Sequence, residues 1–125
     1  MQKRRLVAVV DDDLSMLAGI ENLLDAHGFS TMGFASAEAF LDFPWATTSI
    51  DCVLLDLHLG GMSGIELGRQ LSSTLPIIFM TAFYDEAVRI QALQEGCVAC
   101  LSKPFLSHLL IDAVEEAVAS KRNVP

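Results

Sequence analysis

The stretch Leu6-Val7-Ala8-Val9-Val10-Asp11-Asp12-Asp13 decides the fold of this chain. Its first five residues are apolar and rich in β-branched side chains, and three aspartates follow directly. A short, continuous apolar run of this kind predicts a strand that is buried on both faces, as in a parallel sheet covered by helices. The aspartates then stand at the carboxyl end of the strand, where α/β proteins bind their ligands.

The same alternation of an apolar run and a helix-like stretch repeats along the whole chain. The pattern predicts strands at 6–10, 29–34, 50–55, 77–80 and 98–101, and helices at 14–27, 36–43, 63–72, 85–94 and 107–119. Parallel neighbours need crossover connections, and each gap between strands is long enough for one helix. We therefore expect an α/β fold, a single doubly wound domain with a five-stranded parallel sheet.

Composition sets the limits of this domain and of its partners. The chain has 125 residues, 52% of them hydrophobic, which suits one domain over 1–125 with a core at about 5–120 and a tail or linker start at 121–125. The formal net charge of −8 argues against direct nucleic-acid binding, which needs clustered basic residues. The first apolar run is too short for a signal peptide or membrane span, so we expect a cytoplasmic protein with no membrane contact.

Three cysteines, Cys52, Cys97 and Cys100, lie in apolar stretches. Cys97 and Cys100 have C-x-x-C spacing, but no second ligand pair and no helix start accompany them. We expect all three to be reduced and buried.

Four polar positions follow four different predicted strands and should converge at one edge of the sheet. They are Asp11 to Asp13, then Asp56, Thr81 and Lys103. Taken singly, each is better explained as a helix cap or a solvated side chain, and Asp13 is predicted to cap the first helix. Taken together, clustered carboxylates predict a site for Mg²⁺ or Mn²⁺. Asp56 could then act as a nucleophile toward phosphorus, with the metal and Lys103 neutralising charge and Thr81 donating a hydrogen bond.

The sequence around these positions resembles bacterial response-regulator receiver domains, from Leu6 to about Ala119. The resemblance is carried by Val9-Val10-Asp11-Asp12-Asp13, Leu54-Leu55-Asp56-Leu57, Met80-Thr81-Ala82 and Lys103-Pro104-Phe105. It implies a flavodoxin-like sheet with strand order 2-1-3-4-5. In the implied site Asp56 is the phosphoacceptor. The metal is bound by Asp12, Asp56 and the backbone carbonyl of His58, and by Asp11 through water. Thr81 and Lys103 bind the phosphoryl group, and the peptide bond between Lys103 and Pro104 is cis.

The function implied by the resemblance is a two-component phosphoacceptor switch. A sensor histidine kinase would donate the phosphoryl group, and a conformational shift would control a partner or an output domain. The chain would not be an enzyme beyond its own phosphorylation and dephosphorylation. A homodimer that forms on phosphorylation is a further expectation, and Ser36-Ala37-Glu38-Ala39-Phe40-Leu41 is similar to regulators with a LuxR-type helix-turn-helix output.

The sequence departs from the family at several positions. Cys100 stands where receivers carry the aromatic residue that follows Thr81 inward, so either Phe83 or Tyr84 takes that role or the output surface works differently. His58 and Phe83 occupy the two positions that tune phosphate lifetime. A bulky Phe83 predicts slow hydrolysis of the acyl phosphate.

Two other classes remain open at this point. Asp11-x-Asp13-x-Ser15 approaches the nucleophile motif of haloacid-dehalogenase-type phosphatases, with Asp11 as nucleophile. That interpretation finds no acidic pair at a strand end after Lys103 and gives Asp56 no role. A receiver-like scaffold that binds a partner without phosphorylation is the other alternative, and Cys100 is its only hint.

Overall fold

The computed structural model describes residues 4–122, with side chains up to residue 120. Strands and helices alternate along the whole described chain, as predicted. The strands are β1 (Leu6–Val10), β2 (Ser30–Phe34), β3 (Cys52–Asp56), β4 (Ile77–Thr81) and β5 (Ala99–Ser102), and the helices are α1 (Leu14–Ala26), α2 (Ala37–Asp42), α3 (Gly64–Leu71), α4 (Glu86–Gln94) and α5 (Ser107–Arg122).

The five strands form one sheet in the order β2-β1-β3-β4-β5, and every neighbouring pair is parallel. This confirms the doubly wound topology and the strand order implied by the resemblance. Because the order reverses between β1 and β3, the carboxyl ends of these strands border the crevice in which such sheets bind ligands.

The two faces of the sheet carry separate hydrophobic cores. Alternate strand residues such as Val9, Leu54 and Ile78 face α1 and α5, whereas Val10 and Phe79 belong to the core formed with α2, α3 and α4. The central strands β3 and β4 are buried at every position. Successive side chains of a strand enter the two cores in turn, and this explains why these strands are apolar except at their last residue.

Most boundaries differ from the predicted ones by a residue or two. Asp56 and Thr81 are the last residues of their strands rather than the first residues after them. A short 3-10 turn at Trp45–Thr47 was not predicted. Helix α5 runs to Arg122, so the predicted tail at 121–125 begins inside a helix, and residues 123–125 lie outside the described part.

The prediction of three buried thiols was wrong for two of them. Cys52 is fully buried in β3, but Cys97 and Cys100 are only half-buried. All three are free cysteines. Cys100 lies in β5 and Cys97 lies two residues before it, and β5 is an edge strand with sheet on one side only.

No helix in the described part of the chain is long and apolar enough to cross a membrane.

Candidate functional site

Three carboxylates meet at the carboxyl edge of β1 and β3. Asp11 and Asp12 directly follow β1, and Asp56 ends β3. Asp11 is fully buried and Asp56 is 6% exposed, whereas Asp12 is exposed. One carboxylate oxygen from each lies within 4.8 Å of the others. Like charges this close repel each other, and a nearby cation relieves the repulsion.

Lys103 supplies a positive charge to this cluster. Its Nζ donates hydrogen bonds to Oδ2 of Asp11 at 2.6 Å and to Oδ2 of Asp56 at 3.1 Å. Burial acts to lower the pKa of Lys103, but the hydrogen bonds and negative charges of the two aspartates outweigh it, so the pKa is raised overall. Lys103 therefore stays charged across the physiological range.

Backbone amides hold the other oxygen of each buried carboxylate. The amide of Asp13 donates to Oδ1 of Asp11 at 2.9 Å, and the amide of His58 donates to Oδ1 of Asp56 at 3.0 Å. The side chain of Asp13 accepts from the amides at the start of α1, which confirms its predicted role as a helix cap. Asp11 and Asp56 are thus held in matching ways, by one amide and by Lys103.

A pocket of about 440 Å³ opens above these carboxylates. Its walls are formed by residues at the ends of β1, β3, β4 and β5 and by one residue of α1: Asp11, Asp12, Asp13, Met16, Asp56, His58, Ala82, Phe83, Lys103 and Pro104. The rings of His58 and Phe83 meet edge to face at the rim, with centroids 5.0 Å apart. Phe83 remains 68% exposed.

Thr81 and Cys100 stand apart from this pocket. Thr81 is fully buried at the end of β4, and its hydroxyl accepts a hydrogen bond from the amide of Phe83 at 3.0 Å. Cys100 lies in β5 opposite Phe79 and packs against the core on the α2, α3 and α4 side of the sheet. The Lys103–Pro104 peptide bond is cis.

The donor set suits a hard divalent cation. Carboxylate oxygens are the ligands that Mg²⁺ prefers, and Mg²⁺ takes few of them because it keeps several waters. Asp12 is exposed beside two buried carboxylates, so one side of the cluster is open to water and to a further oxygen ligand. The residues present therefore fit Mg²⁺ or Mn²⁺, and the cation would supply positive charge next to Asp56.

The family model described as the response regulator receiver domain matches residues 7–115. This chain belongs to the receiver-domain family. The match covers β1 from Val7 onward, the other four strands and the site described above.

Two curated bacterial proteins are similar to this receiver domain over most of its length. Nodulation protein W of Bradyrhizobium diazoefficiens is 34% identical over 122 residues, which are 95% of this chain and 53% of the relative. The transcriptional regulatory protein FixJ of the same organism is 36% identical over 115 residues, 90% of this chain and 56% of FixJ. The chain thus spans about half the length of the curated relatives it matches.

Solved structures show the same fold. The crystal structure of a response regulator receiver protein from Burkholderia phymatum is 39% identical, with a TM-score of 0.84, and the match covers 93% of this chain and 96% of that one. Neither the phosphatase alternative nor the unphosphorylated scaffold receives support from the family match, which identifies a response-regulator receiver.

One contact near the site, between Glu38 and the backbone of Met62, has no signal in the sequence. Oε2 of Glu38, in the first turn of α2, accepts a hydrogen bond from the amide of Met62 at 2.9 Å. Met62 lies in the loop between β3 and α3, which follows Asp56. The sequence placed Glu38 only in a helix, and no local pattern signals a partner 24 residues away.

Proposed function

We propose that this receiver domain is a phosphoacceptor switch in which Asp56 takes the phosphoryl group. The observation that carries the proposal is the position of Asp56: it is nearly buried, lines the pocket, accepts a hydrogen bond from Lys103 and lies within 4.8 Å of carboxylate oxygens of Asp11 and Asp12. Its donor would be a phosphohistidine of a sensor kinase, since the chain matches the response regulator receiver domain.

In the proposed reaction a carboxylate oxygen of Asp56 attacks phosphorus. A P–O bond forms while the P–N bond to the donor histidine breaks, and the electron pair of that bond stays on the imidazole nitrogen. Lys103 stabilises negative charge on the phosphoryl oxygens. Asp12, Asp56, the backbone carbonyl of His58 and, through water, Asp11 would hold Mg²⁺ or Mn²⁺, which supplies further positive charge there.

Thr81 is the proposed sensor of the new phosphoryl group. Its hydroxyl oxygen already accepts from the amide of Phe83, so its own proton is the group that can be donated to a phosphoryl oxygen. Movement of Thr81 toward Asp56 would draw the start of the β4–α4 loop with it and shift the population of two loop positions. Phe83, tied to Thr81 through its amide, moves with it.

The wider role follows from the relatives and remains part of the proposal. We take residues 1–125 as one receiver domain that controls an output domain or a protein target, with no catalysis beyond its own phosphorylation and dephosphorylation. The excess of acidic residues speaks against direct contact of this domain with nucleic acid. A homodimer that forms on phosphorylation is one form this control would take.

Treatment with a small phosphodonor and Mg²⁺ tests the phosphoacceptor. We expect intact mass to rise by one phosphoryl group that is stable to acid and labile to base. Asp56→Asn should take up none, because an amide is a poor nucleophile and carries no negative charge. Asp42→Asn, which neutralises an exposed carboxylate on α2, is the matched control and should be phosphorylated like the wild type.

Two outcomes would overturn this assignment. Uptake by Asp56→Asn equal to that of the wild type would place the acceptor elsewhere. Continuous phosphate release that persists in Asp56→Asn but is lost in Asp11→Asn would instead indicate the phosphatase chemistry.

A further inference from the structure

The loop between β3 and α3 contains two consecutive glycines, Gly60 and Gly61, which begin two residues after His58 with its proposed metal-binding carbonyl. Glycines give the backbone more conformational freedom than other residues, so such a loop needs contacts that restrict it. One end is held inside the site, where the amide of His58 donates to Asp56. The amide of Gly64 also donates to the carbonyl of Leu57 at 3.2 Å, which closes the loop at its base.

The far end of the loop is held from outside, by Glu38 of α2. Oε2 of Glu38 accepts from the amide of Met62 at 2.9 Å, and this hydrogen bond is the main reason that the pKa of Glu38 is lowered. Glu38 is therefore a carboxylate at neutral pH, and hydrogen bonds to ionised acceptors are stronger than neutral ones.

The backbone conformation of Gly61 and its lack of a side chain both allow this contact. Its φ of +76° lies in the left-handed region that favours glycine. A Cβ atom at this position would come within 2.7 Å of Oε2 of Glu38. Both the turn and the missing side chain thus make room for the carboxylate beside the Met62 amide.

We propose that Glu38 is a positioning residue for the metal site, which it serves by fixing the β3–α3 loop through the amide of Met62. The proposal rests on the proposed function, because it assumes that the carbonyl of His58 binds the metal. Glu38 acts through the backbone: its hydrogen bond limits the freedom of Gly60 and Gly61 and so keeps His58 in place. Glu38 lies in the first turn of α2, which is capped by Ser36, so a regular helix holds the carboxylate beside the loop.

Mg²⁺ titration calorimetry and amide hydrogen exchange on four proteins test this role. In Glu38→Ala, Mg²⁺ affinity should fall about tenfold, the lower end of effects seen when a residue that supports a metal ligand is lost. The amide of Met62 should exchange faster even without Mg²⁺. Glu38→Gln keeps an acceptor oxygen without the charge. Its Mg²⁺ affinity and its rate of Met62 amide exchange should lie between those of the wild type and Glu38→Ala.

Glu66→Gln is the matched control. Glu66 is also an exposed acid in the first turn of a helix next to this loop, but the hydrogen bond at its position runs from its own amide to Ser63. This variant should bind Mg²⁺ like the wild type. At saturating Mg²⁺ the phosphorylation rate of Glu38→Ala should recover, because the metal affinity and not the chemistry is changed. A purely structural role would instead lower the rate at every Mg²⁺ concentration.

The outcomes separate the two proposals. Wild-type Mg²⁺ affinity and wild-type Met62 exchange in Glu38→Ala would overturn the role of Glu38 while phosphorylation at Asp56 stands. Weakened Mg²⁺ binding in Glu38→Ala, together with a wild type that accepts no phosphoryl group, would overturn the phosphoacceptor function and leave the role of Glu38. Failure of the wild type to bind Mg²⁺ would overturn both.

Discussion

Lys103 joins two buried carboxylates, one directly after β1 and one at the end of β3: its Nζ lies 2.6 Å from Oδ2 of Asp11 and 3.1 Å from Oδ2 of Asp56. The side chain of Lys103 is 12% exposed, and those of Asp11 and Asp56 are 0% and 8% exposed. Charges with so little water around them depend on each other. A cation bound to the carboxylates and a phosphoryl group on Asp56 would both change the surroundings of Lys103.

Lys103→Met should therefore destabilise the metal-free domain and make its stability depend on Mg²⁺. Removing one partner of a buried charge cluster costs about 3 kcal/mol in free energy of unfolding, because like charges are left facing each other. Added Mg²⁺ should restore part of that loss by replacing the missing charge. Urea unfolding with and without Mg²⁺ measures both effects.

Arg69→Met is the control for Lys103→Met. Arg69 pairs with Glu95 at 3.0 Å, but its side chain is 58% exposed, and exposed ion pairs contribute less than about 1 kcal/mol. The loss of unfolding free energy in Arg69→Met should therefore be small and independent of Mg²⁺. An equal loss in both variants, or no response of Lys103→Met to Mg²⁺, would contradict the role given to Lys103.

Gly64→Ala should damage the site and the fold together. A Cβ atom at Gly64 would overlap the carbonyl oxygen of Asp56 and come within 2.8 Å of Cα of Leu57. These are backbone atoms that cannot turn aside, so β3 and α3 must separate. We expect a loss of about 2 kcal/mol in free energy of unfolding, typical of overpacking, and slower phosphorylation of Asp56.

Gly19→Ala gives the opposite expectation and serves as the control. Gly19 lies on the exposed face of α1, with nothing within 4 Å of an added Cβ. Alanine there should stabilise the helix by about 0.5–1 kcal/mol, because glycine is a poor helix former. Thermal unfolding of both variants measures the difference, and a Gly64→Ala variant as stable as Gly19→Ala would show that β3 and α3 tolerate the extra methyl group.

The edge of the sheet that carries the site was predictable because strand direction and strand length follow from short-range patterns. The placement of Asp11, Asp56 and Thr81 at this edge follows from that reasoning alone, since the carboxyl ends of parallel strands lie at one edge of the sheet. The bridge from Lys103 to both Asp11 and Asp56 was not predictable, because it depends on side-chain directions across strands far apart in sequence.

The half exposure of Cys97 and Cys100 was not predictable for a related reason. An apolar run indicates burial, but the edge position of β5 follows from topology, not from its own residues.

The thiols should react slowly with alkylating reagents in the native protein. Burial, followed by the nearby Cys100, raises the pKa of Cys97 to about 11, and burial also raises the pKa of Cys100. The thiolate is the reactive form, so at pH 8 both should react more slowly than a free thiol and faster as the pH rises toward 11. Cys52 should react only after unfolding. Mass spectrometry of timed iodoacetamide reactions resolves the three sites, and rapid labelling of Cys97 at pH 7 would show that the site is more open than in this structure.

The same shift predicts a loss of stability at alkaline pH. A thiol ionises near pH 8.5 in an unfolded chain, but Cys97 in the folded domain ionises near 11. The unfolded state thus loses its proton first, and stability that is complete below about pH 8.5 declines as the pH rises toward 11. Cys97→Ser should reduce this slope in denaturant titrations between pH 8 and 10.5, and an unchanged slope would mean that Cys97 does not contribute to it.

Phe83 should set the lifetime of the acyl phosphate. Its ring meets that of His58 in the wall of the pocket that Asp56 lines, so it covers part of the approach to Asp56. Phe83→Ala should therefore hydrolyse its phosphoryl group several-fold faster than the wild type. Ile90→Ala is the control, because Ile90 is an exposed apolar residue of α4 that does not line the pocket. Decay of the phosphorylated mass after removal of the phosphodonor gives the half-life in Mg²⁺ buffer. A wild-type half-life of seconds, or equal rates in the wild type and Phe83→Ala, would show that the ring does not shield Asp56.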